Sequence, residues 1–249
     1  MSRPVQIVGS YLSPYVRKVL AFLDLKGIDY EIDPIVPFMG GDQFTELSPL
    51  RRIPLLIDDR VTLADSSVIC QYLEDRYPEP ALYPGDIASR ARARWLEEYA
   101  DTRLGDVIIW QLFNRAVLSP SLWGETRDLA ELERIRSVEL PPVLDYLETQ
   151  LPPSGFLFGA PGIGDLSIAV FFSNAAFARY QVDRVRWPRT AAFVDRVLAL
   201  PCLAKLQPFE ALMIRTPIRE QREALRAVGA PLTESTLGTD TPRRGVMRP

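Results

Sequence analysis

Three hydroxyls stand where an apolar run gives way to a helix-patterned one: Ser10, Tyr11 and Ser13, in Ser10-Tyr-Leu-Ser13-Pro14-Tyr15-Val-Arg-Lys18. Pro14 suits a first helical turn because its missing N–H would have no partner there, which leaves Ser13 at the cap with its hydroxyl in the mouth of the helix. An anion arriving there meets backbone N–H groups and the positive end of the helix dipole. On this stretch alone Ser13 reads first as a plain helix cap. Asp65-Ser66 repeats the physics at a second helix start, with a charge added. Its carboxylate can hold an ammonium group while the Ser66 hydroxyl and N–H hold a carboxylate, the two contacts an amino-acid head group needs. Asp-Ser is also a common capping pair, so alone it carries little.

Other chemistries are argued against by what the chain lacks. It has no histidine, which excludes Ser-His-Asp and Cys-His nucleophile activation and speaks against a zinc or iron enzyme, so no metal is expected. Cys70 and Cys202 are the only cysteines, far apart and outside any Cys-x-x-Cys; they read as reduced, buried small hydrophobes. With 249 residues, 47% hydrophobic and 24% charged, the chain has the composition of an ordinary soluble globular protein, and two domains are expected. A net charge of −3 gives no reason to expect nucleic acid or an anionic membrane as partner. No apolar run approaches a membrane span, and Met1-Ser-Arg-Pro4 leads straight into a strand, so a cytoplasmic location is expected.

The elements that must position these groups follow from periodicity. Val5-Gln-Ile-Val8 reads as a strand closed by Gly9; Val16, Val19, Leu20 and Leu23 mark an amphipathic helix ended at Gly27; Ile28 to Asp33 alternates as a second strand. Such a βαβ unit is right-handed, which puts the mouth of the first helix at the C-terminal edge of strand one. A loop from Pro34 to Gln43 follows, with a short helical turn to Leu47. Then come a strand after Pro54, a tight turn at Asp58-Asp59-Arg60, a strand at Val61 to Leu63 and a helix from Asp65-Ser66. The proline- and glycine-rich span from Tyr77 to Asp86 reads as the domain linker. Beyond it the pattern is helical from Ile87 to Leu118, stopped at Ser119-Pro120, with a stripe of Ala88, Ala91, Trp95, Leu96 and Tyr99 and then Val107, Ile108 and Leu112. A second long helix runs from Thr126 to Gln150, kinked near Pro141-Pro142, and an apolar helix follows Gly162-Ile-Gly-Asp165. Helices near 188–200 and 208–213 complete an antiparallel bundle. An Arg- and Glu-rich helical piece from Ile218 to Val228 precedes a tail expected to end in disorder.

Taken together, Ser13-Pro-Tyr-Val-Arg-Lys-Val, Ser48-Pro-Leu-Arg-Arg-Ile-Pro54 and Asp65-Ser66-Ser-Val-Ile-Cys-Gln-Tyr-Leu73 resemble, in order and spacing, the N-terminal domain of the cytosolic glutathione S-transferases, in a bacterial-type form with serine at the catalytic position. The helical second half fits that family to about Met213. The resemblance implies an α/β thioredoxin-like N-terminal domain (βαβ-ββα) over residues 1–79, an all-α helical bundle over 87–213 for acceptor substrate and dimerisation, and a partly disordered extension over 214–249.

It further implies glutathione as co-substrate and a small apolar electrophile as acceptor. Ser13 would donate a hydrogen bond to the thiolate, with Ser10 and then Tyr11 as rivals. Ile53 would offer its backbone to the cysteinyl part beside a cis Pro54, and Asp65 and Ser66 would hold the γ-glutamyl end. Here the sequence departs from the pattern: Pro34 to Gln43 lacks the Lys or His that often meets the glycyl carboxylate, leaving Gln43, Arg51 or Arg52 to substitute, or the two arginines as a solvated pair. Gly162 stands where the family has a Ser or Thr cap, an expected loss of up to about 1 kcal/mol in folding robustness. The acceptor side would draw on Val107 to Phe113 and the tail. A homodimer is expected. The alternatives are a glutathione-dependent lyase, isomerase, dehalogenase or ether-cleaving enzyme, or a non-catalytic glutathione- or ligand-binding member, since fold alone does not choose among them.

Overall fold

The structure, a computed structural model, describes residues 4–244. The expected start at Met1 and the last residues of the tail lie outside the described residues. The chain divides into two compact units, Met1–Pro80 with Lys205–Pro249, and Ala81–Ala204.

In the first unit β1 (Val5–Val8), α1 (Pro14–Leu25) and β2 (Tyr30–Asp33) form the expected βαβ crossover, with β1 and β2 parallel and Val8 opposite Asp33. A 3-10 turn at Pro37–Met39 lies within what the sequence reads as loop, and α2 (Asp42–Leu47) is the short helical turn expected to Leu47. β3 (Leu55–Ile57) and β4 (Thr62–Ala64) then pair antiparallel, and α3 (Ser66–Arg76) closes the layout. The strand order is β2-β1-β3-β4, with β3 antiparallel to β1. The Asp58 side chain accepts the N–H groups of Arg60 and Val61 and the hydroxyl of Tyr72, which ties the β3–β4 turn to α3.

α1 is buried on nearly every side, more than an amphipathic stripe implies: Arg17 and Lys18 are as buried as Val16 and Val19. One element near the chain's end contributes to this. Glu210 on α11 (Gln207–Arg215) forms an ion pair with Arg17 at 2.6 Å, and the Phe209 ring lies 5.0 Å from that of Tyr11. These contacts go with the placement of the chain from Lys205 onward in the first unit, whereas the sequence reading assigns 205–213 to the helical domain. After α12 (Gln221–Ala227), Ile32 donates its N–H to Pro231 and accepts the N–H of Thr233, so the tail extends the sheet along the β2 edge.

The second unit is all helical: α4 (Ile87–Tyr99), a wide i→i+5 helix at Ala100–Leu118, α5 (Ser119–Trp123), α6 (Leu129–Arg134), a wide turn at Ile135–Glu139, α7 (Leu140–Gln150), α8 (Ile163–Phe177), α9 (Pro188–Leu198) and α10 (Pro201–Ala204). The helix does not stop at Ser119-Pro120. It runs on to Gly124, where Glu125 N–H bonds back to Ser119 and Gly124 N–H to Pro120, the paired bonds of a glycine-terminated helix end. Pro141 and Pro142 likewise fall in the first turn of α7, behind the wide turn, where a missing N–H costs little. The buried face of α4 is Ala93, Leu96, Glu97 and Ala100, not the Ala88-Ala91-Trp95 stripe; Trp95 is exposed. A charged residue obscured that face, since Glu97 is buried with its carboxylate accepting the Tyr83 hydroxyl at 3.2 Å. Val107, Ile108, Leu112 and Phe113 are buried on the wide helix, which packs against α8. Among the described residues no single helix is long and apolar enough to cross a membrane.

Candidate functional site

The three hydroxyls before α1 take three different environments. Ser13 is the N-cap, with extended φ −85° and ψ 125°; its carbonyl accepts from Arg17 at 2.9 Å and its Oγ from the Val16 N–H at 3.4 Å. That second bond is long, so the hydroxyl is weakly held and its hydrogen is available to a ligand. Ser13 is half-buried, facing both the helix mouth and solvent. Ser10 is 1% exposed, with Oγ accepting the Leu12 N–H at 3.2 Å and its carbonyl the Ser13 N–H at 2.9 Å, so it shapes the turn that presents Ser13. Tyr11 turns inward against Phe209. Its hydroxyl is buried with no hydrogen-bond partner among the described residues, and burial pushes its pKa well above the ordinary phenol value. A phenol so placed is a poor candidate for stabilising a ligand's anion, because both reach and acidity are gone.

The loop that carries these residues is held close to the sheet. Gly9 donates its N–H to the Asp33 carbonyl at 2.9 Å, and a Cβ there would stand 2.5 Å from Val16, so only glycine lets the chain pass.

The second wall is the segment before β3. Ser48, fully buried, donates its hydroxyl to the Arg52 carbonyl at 3.0 Å and accepts the Arg52 N–H at 3.1 Å, closing a turn ahead of Ile53. The Ile53–Pro54 peptide is cis, as the resemblance implies. The two arginines are not equivalent. Arg51 has a left-handed φ of 51° and its guanidinium is spent inside the fold, on Thr45 at 2.5 Å and on the carbonyls of Pro37 and Gly40, each at 3.0 Å, with the Phe44 ring beneath it. Arg51 therefore holds the Pro37–Thr45 stretch and leaves Arg52, which is exposed, facing solvent. Gln43 is exposed on α2.

The third wall is the start of α3. Asp65 has φ 89°, rare for a residue with a side chain, and its Oδ1 accepts from Ser67 at 3.0 Å and Val68 at 3.2 Å. Both capping bonds use the same oxygen, on a residue that is exposed. Ser66, the first residue of α3, is buried.

Lys18 is a site neighbour that sequence reasoning passed over. It is wholly buried on α1, and its ammonium donates to the Ser67 hydroxyl at 3.3 Å, which sets a positive charge under the N-terminus of α3. Periodicity gave no signal for it: Lys18 lies on the side of α1 opposite the Val16, Val19 and Leu20 stripe, where a lysine reads as solvated.

Comparison with known proteins fits this geometry. Residues 7–81 match the glutathione S-transferase N-terminal domain and residues 127–196 the glutathione S-transferase C-terminal domain. A maleylacetoacetate isomerase of Pseudomonas aeruginosa is 30% identical over 206 residues, 80% of this chain and 93% of its own length. Among solved structures, a glutathione S-transferase from Rhodospirillum rubrum F11 superposes with TM-score 0.75 at 25% identity, over 88% of this chain and 99% of that one. Another, from Methylobacterium radiotolerans in complex with glutathione sulfonate, has TM-score 0.67 at 25% identity over 82% and 94%.

Proposed function

Because the chain belongs to the glutathione S-transferase family, we propose that it is a glutathione-dependent transferase in which the Ser13 hydroxyl stabilises the glutathione thiolate for attack on a small apolar electrophile. The observation that carries this reading is the position of Ser13: a loosely held hydroxyl at the mouth of α1, with Ser10 and Tyr11 both committed to the interior.

The thiol of glutathione is mostly protonated at neutral pH, and the thiolate is the nucleophile. A hydroxyl donor and the helix terminus stabilise that anion, so the thiol proton goes to solvent without a histidine base. The sulfur then forms a bond to the electrophilic carbon, and the leaving group departs with its electron pair. Asp65 supplies the counter-charge for the γ-glutamyl ammonium, Ser66 a hydroxyl and N–H for its carboxylate, Ile53 its backbone for the cysteinyl unit, and Arg52 a cation for the glycyl carboxylate. As is usual in the family, the working unit would be a homodimer.

A second reading has specific support in the isomerase relative from Pseudomonas aeruginosa. In that reaction class the thiolate adds to a conjugated double bond, rotation follows about the resulting single bond, and elimination returns glutathione unchanged. The same Ser13 serves both.

Ser13→Ala tests the reading. Glutathione affinity should stay within about twofold while turnover falls by about 10²-fold, the usual cost of removing one donor to a developing anion. Full turnover in that variant would remove Ser13 from its role. A panel of aryl halides, alkyl halides and maleylacetoacetate, each with glutathione, separates transfer from isomerisation; glutathione bound but nothing turned over would make the chain a binder.

A further inference from the structure

Asp33 ends β2 and is nearly inaccessible, yet its carboxylate is met by three groups from the far end of the chain, one of them the Thr236 side chain. Arg222 on α12 forms an ion pair with Oδ1 at 2.7 Å, and the Leu237 N–H donates to Oδ2 at 2.6 Å. Its backbone carbonyl is the one that holds Gly9, at the base of the loop carrying Ser13. The tail is fitted to this place rather than laid over it. Leu237 packs on the cluster of Val8, Ile35, Phe44 and Leu55, beside Ile53. Gly41 donates its N–H to the Leu237 carbonyl at 2.8 Å, and Thr239 donates to Met39 at 2.7 Å. Gly238 passes so near Ile35 that a Cβ would stand 2.9 Å from it. Arg222 also reaches the carbonyls of Thr233 and Ser235, so one guanidinium gathers the tail and the sheet together.

We propose that the tail segment 231–243 is a positioning element of the thiol site: it fixes Asp33 and the cluster under Ile53, and through them the two loops that present Ser13 and Ile53. The claim that this matters to glutathione rests on the proposed function. The physical reason is that the departing tail takes the Leu237 N–H from a buried carboxylate and leaves it with Arg222, a costly loss, so the end of β2 must relax toward water and the Gly9 hydrogen bond moves with it. Loss of Leu237 opens the cluster at the same moment.

The test compares the full chain with one ending at Val228, which keeps Arg222. Two quantities are read: glutathione affinity together with the pH at which the bound thiol ionises, and hydrogen exchange at the Gly9 and Leu12 amides. The shortened chain should bind glutathione about tenfold more weakly, ionise the bound thiol at higher pH and exchange both amides faster, and a synthetic peptide of residues 229–249 added in trans should restore all three. Unchanged affinity and exchange in the shortened chain overturn the proposal. A full chain that bound no glutathione would sink the proposed function instead, and exchange alone would then decide: faster exchange upholds the positioning role, unchanged exchange ends it. Should the shortened chain not fold, Gly238→Val forces a branched side chain against Ile35 within the full chain. It should give the same losses, and wild-type behaviour in that variant overturns the proposal.

Discussion

Arg17 on α1 and Glu210 on α11 meet at 2.6 Å with side chains only 1% and 3% exposed. Arg17 also reaches the Tyr11 carbonyl at 3.3 Å, so the pair braces the helix that bears Ser13 against the chain's last helices. An ion pair this deep gains little over an apolar pair, because desolvation offsets the attraction, but breaking it strands a buried charge. Glu210→Ala is therefore expected to destabilise by about 3–5 kcal/mol in urea titration. Arg17→Met with Glu210→Leu should recover most of that loss. A single variant as stable as wild type would mean that the helices do not depend on the pair.

Tyr11 offers the opposite case, since its buried hydroxyl has no hydrogen-bond partner among the described residues. An unsatisfied buried polar group costs about 1–3 kcal/mol, so Tyr11→Phe should stabilise by about 1 kcal/mol while the ring stays against Phe209. Turnover with glutathione should not fall. Wild-type stability with turnover reduced tenfold or more would return Tyr11 to the list of catalytic candidates.

Asp65 combines a cap and a counter-charge, and two substitutions separate them. Asp65→Asn keeps an oxygen for the Ser67 and Val68 N–H groups and suits a positive φ, so stability should change by less than about 0.5 kcal/mol. Glutathione affinity should drop by about tenfold or more, because a hydrogen bond to a charged partner contributes about 1.5–3 kcal/mol. Asp65→Ala should lose about 1 kcal/mol of stability as well. Calorimetric titration with glutathione reads the first effect and thermal unfolding the second; equal affinities in wild type and Asp65→Asn would show that the charge is not used.

Local signals explain what was legible in advance. Ser13-Pro14 fixed a cap, Asp65-Ser66 another and Gly27 a helix end, because each depends on residues a few positions apart. The parallel pairing of β1 and β2 follows from the βαβ unit between them. What escaped depends on distant partners. Nothing near Asp33 announces that Arg222 and the Leu237 N–H will meet it 189 and 204 residues later. Arg51 and Arg52 look alike in sequence, and only the carbonyls of Pro37 and Gly40 tell them apart. Gly162, read as a missing cap hydroxyl, has another cause: a Cβ there would lie 2.7 Å from the Leu82 carbonyl, which accepts the Ile163 N–H at 3.0 Å, so the close approach of Leu82 requires glycine.

Beside that glycine lies a carboxylate whose titration should be visible. Asp165 is wholly buried at the start of α8, accepting the Leu157 N–H at 2.9 Å and the Gly162 N–H at 3.0 Å. Burial pushes its pKa up to about 6 from 3.8, against the pull of these backbone bonds. The folded value is the higher one, so the carboxyl contributes its full stabilisation below the unfolded value, where it is protonated in both states, and that contribution is lost as pH rises through about 6. A shift of two units corresponds to about 3 kcal/mol. Asp165→Asn removes the titration while keeping the side chain's shape. The unfolding free energy of wild type minus that of the variant should therefore fall by about 3 kcal/mol between pH 3 and pH 7, measured by urea titration at each pH. A difference that stayed flat would place the folded pKa at its ordinary value, and a difference that rose would mean that the two N–H bonds outweigh burial.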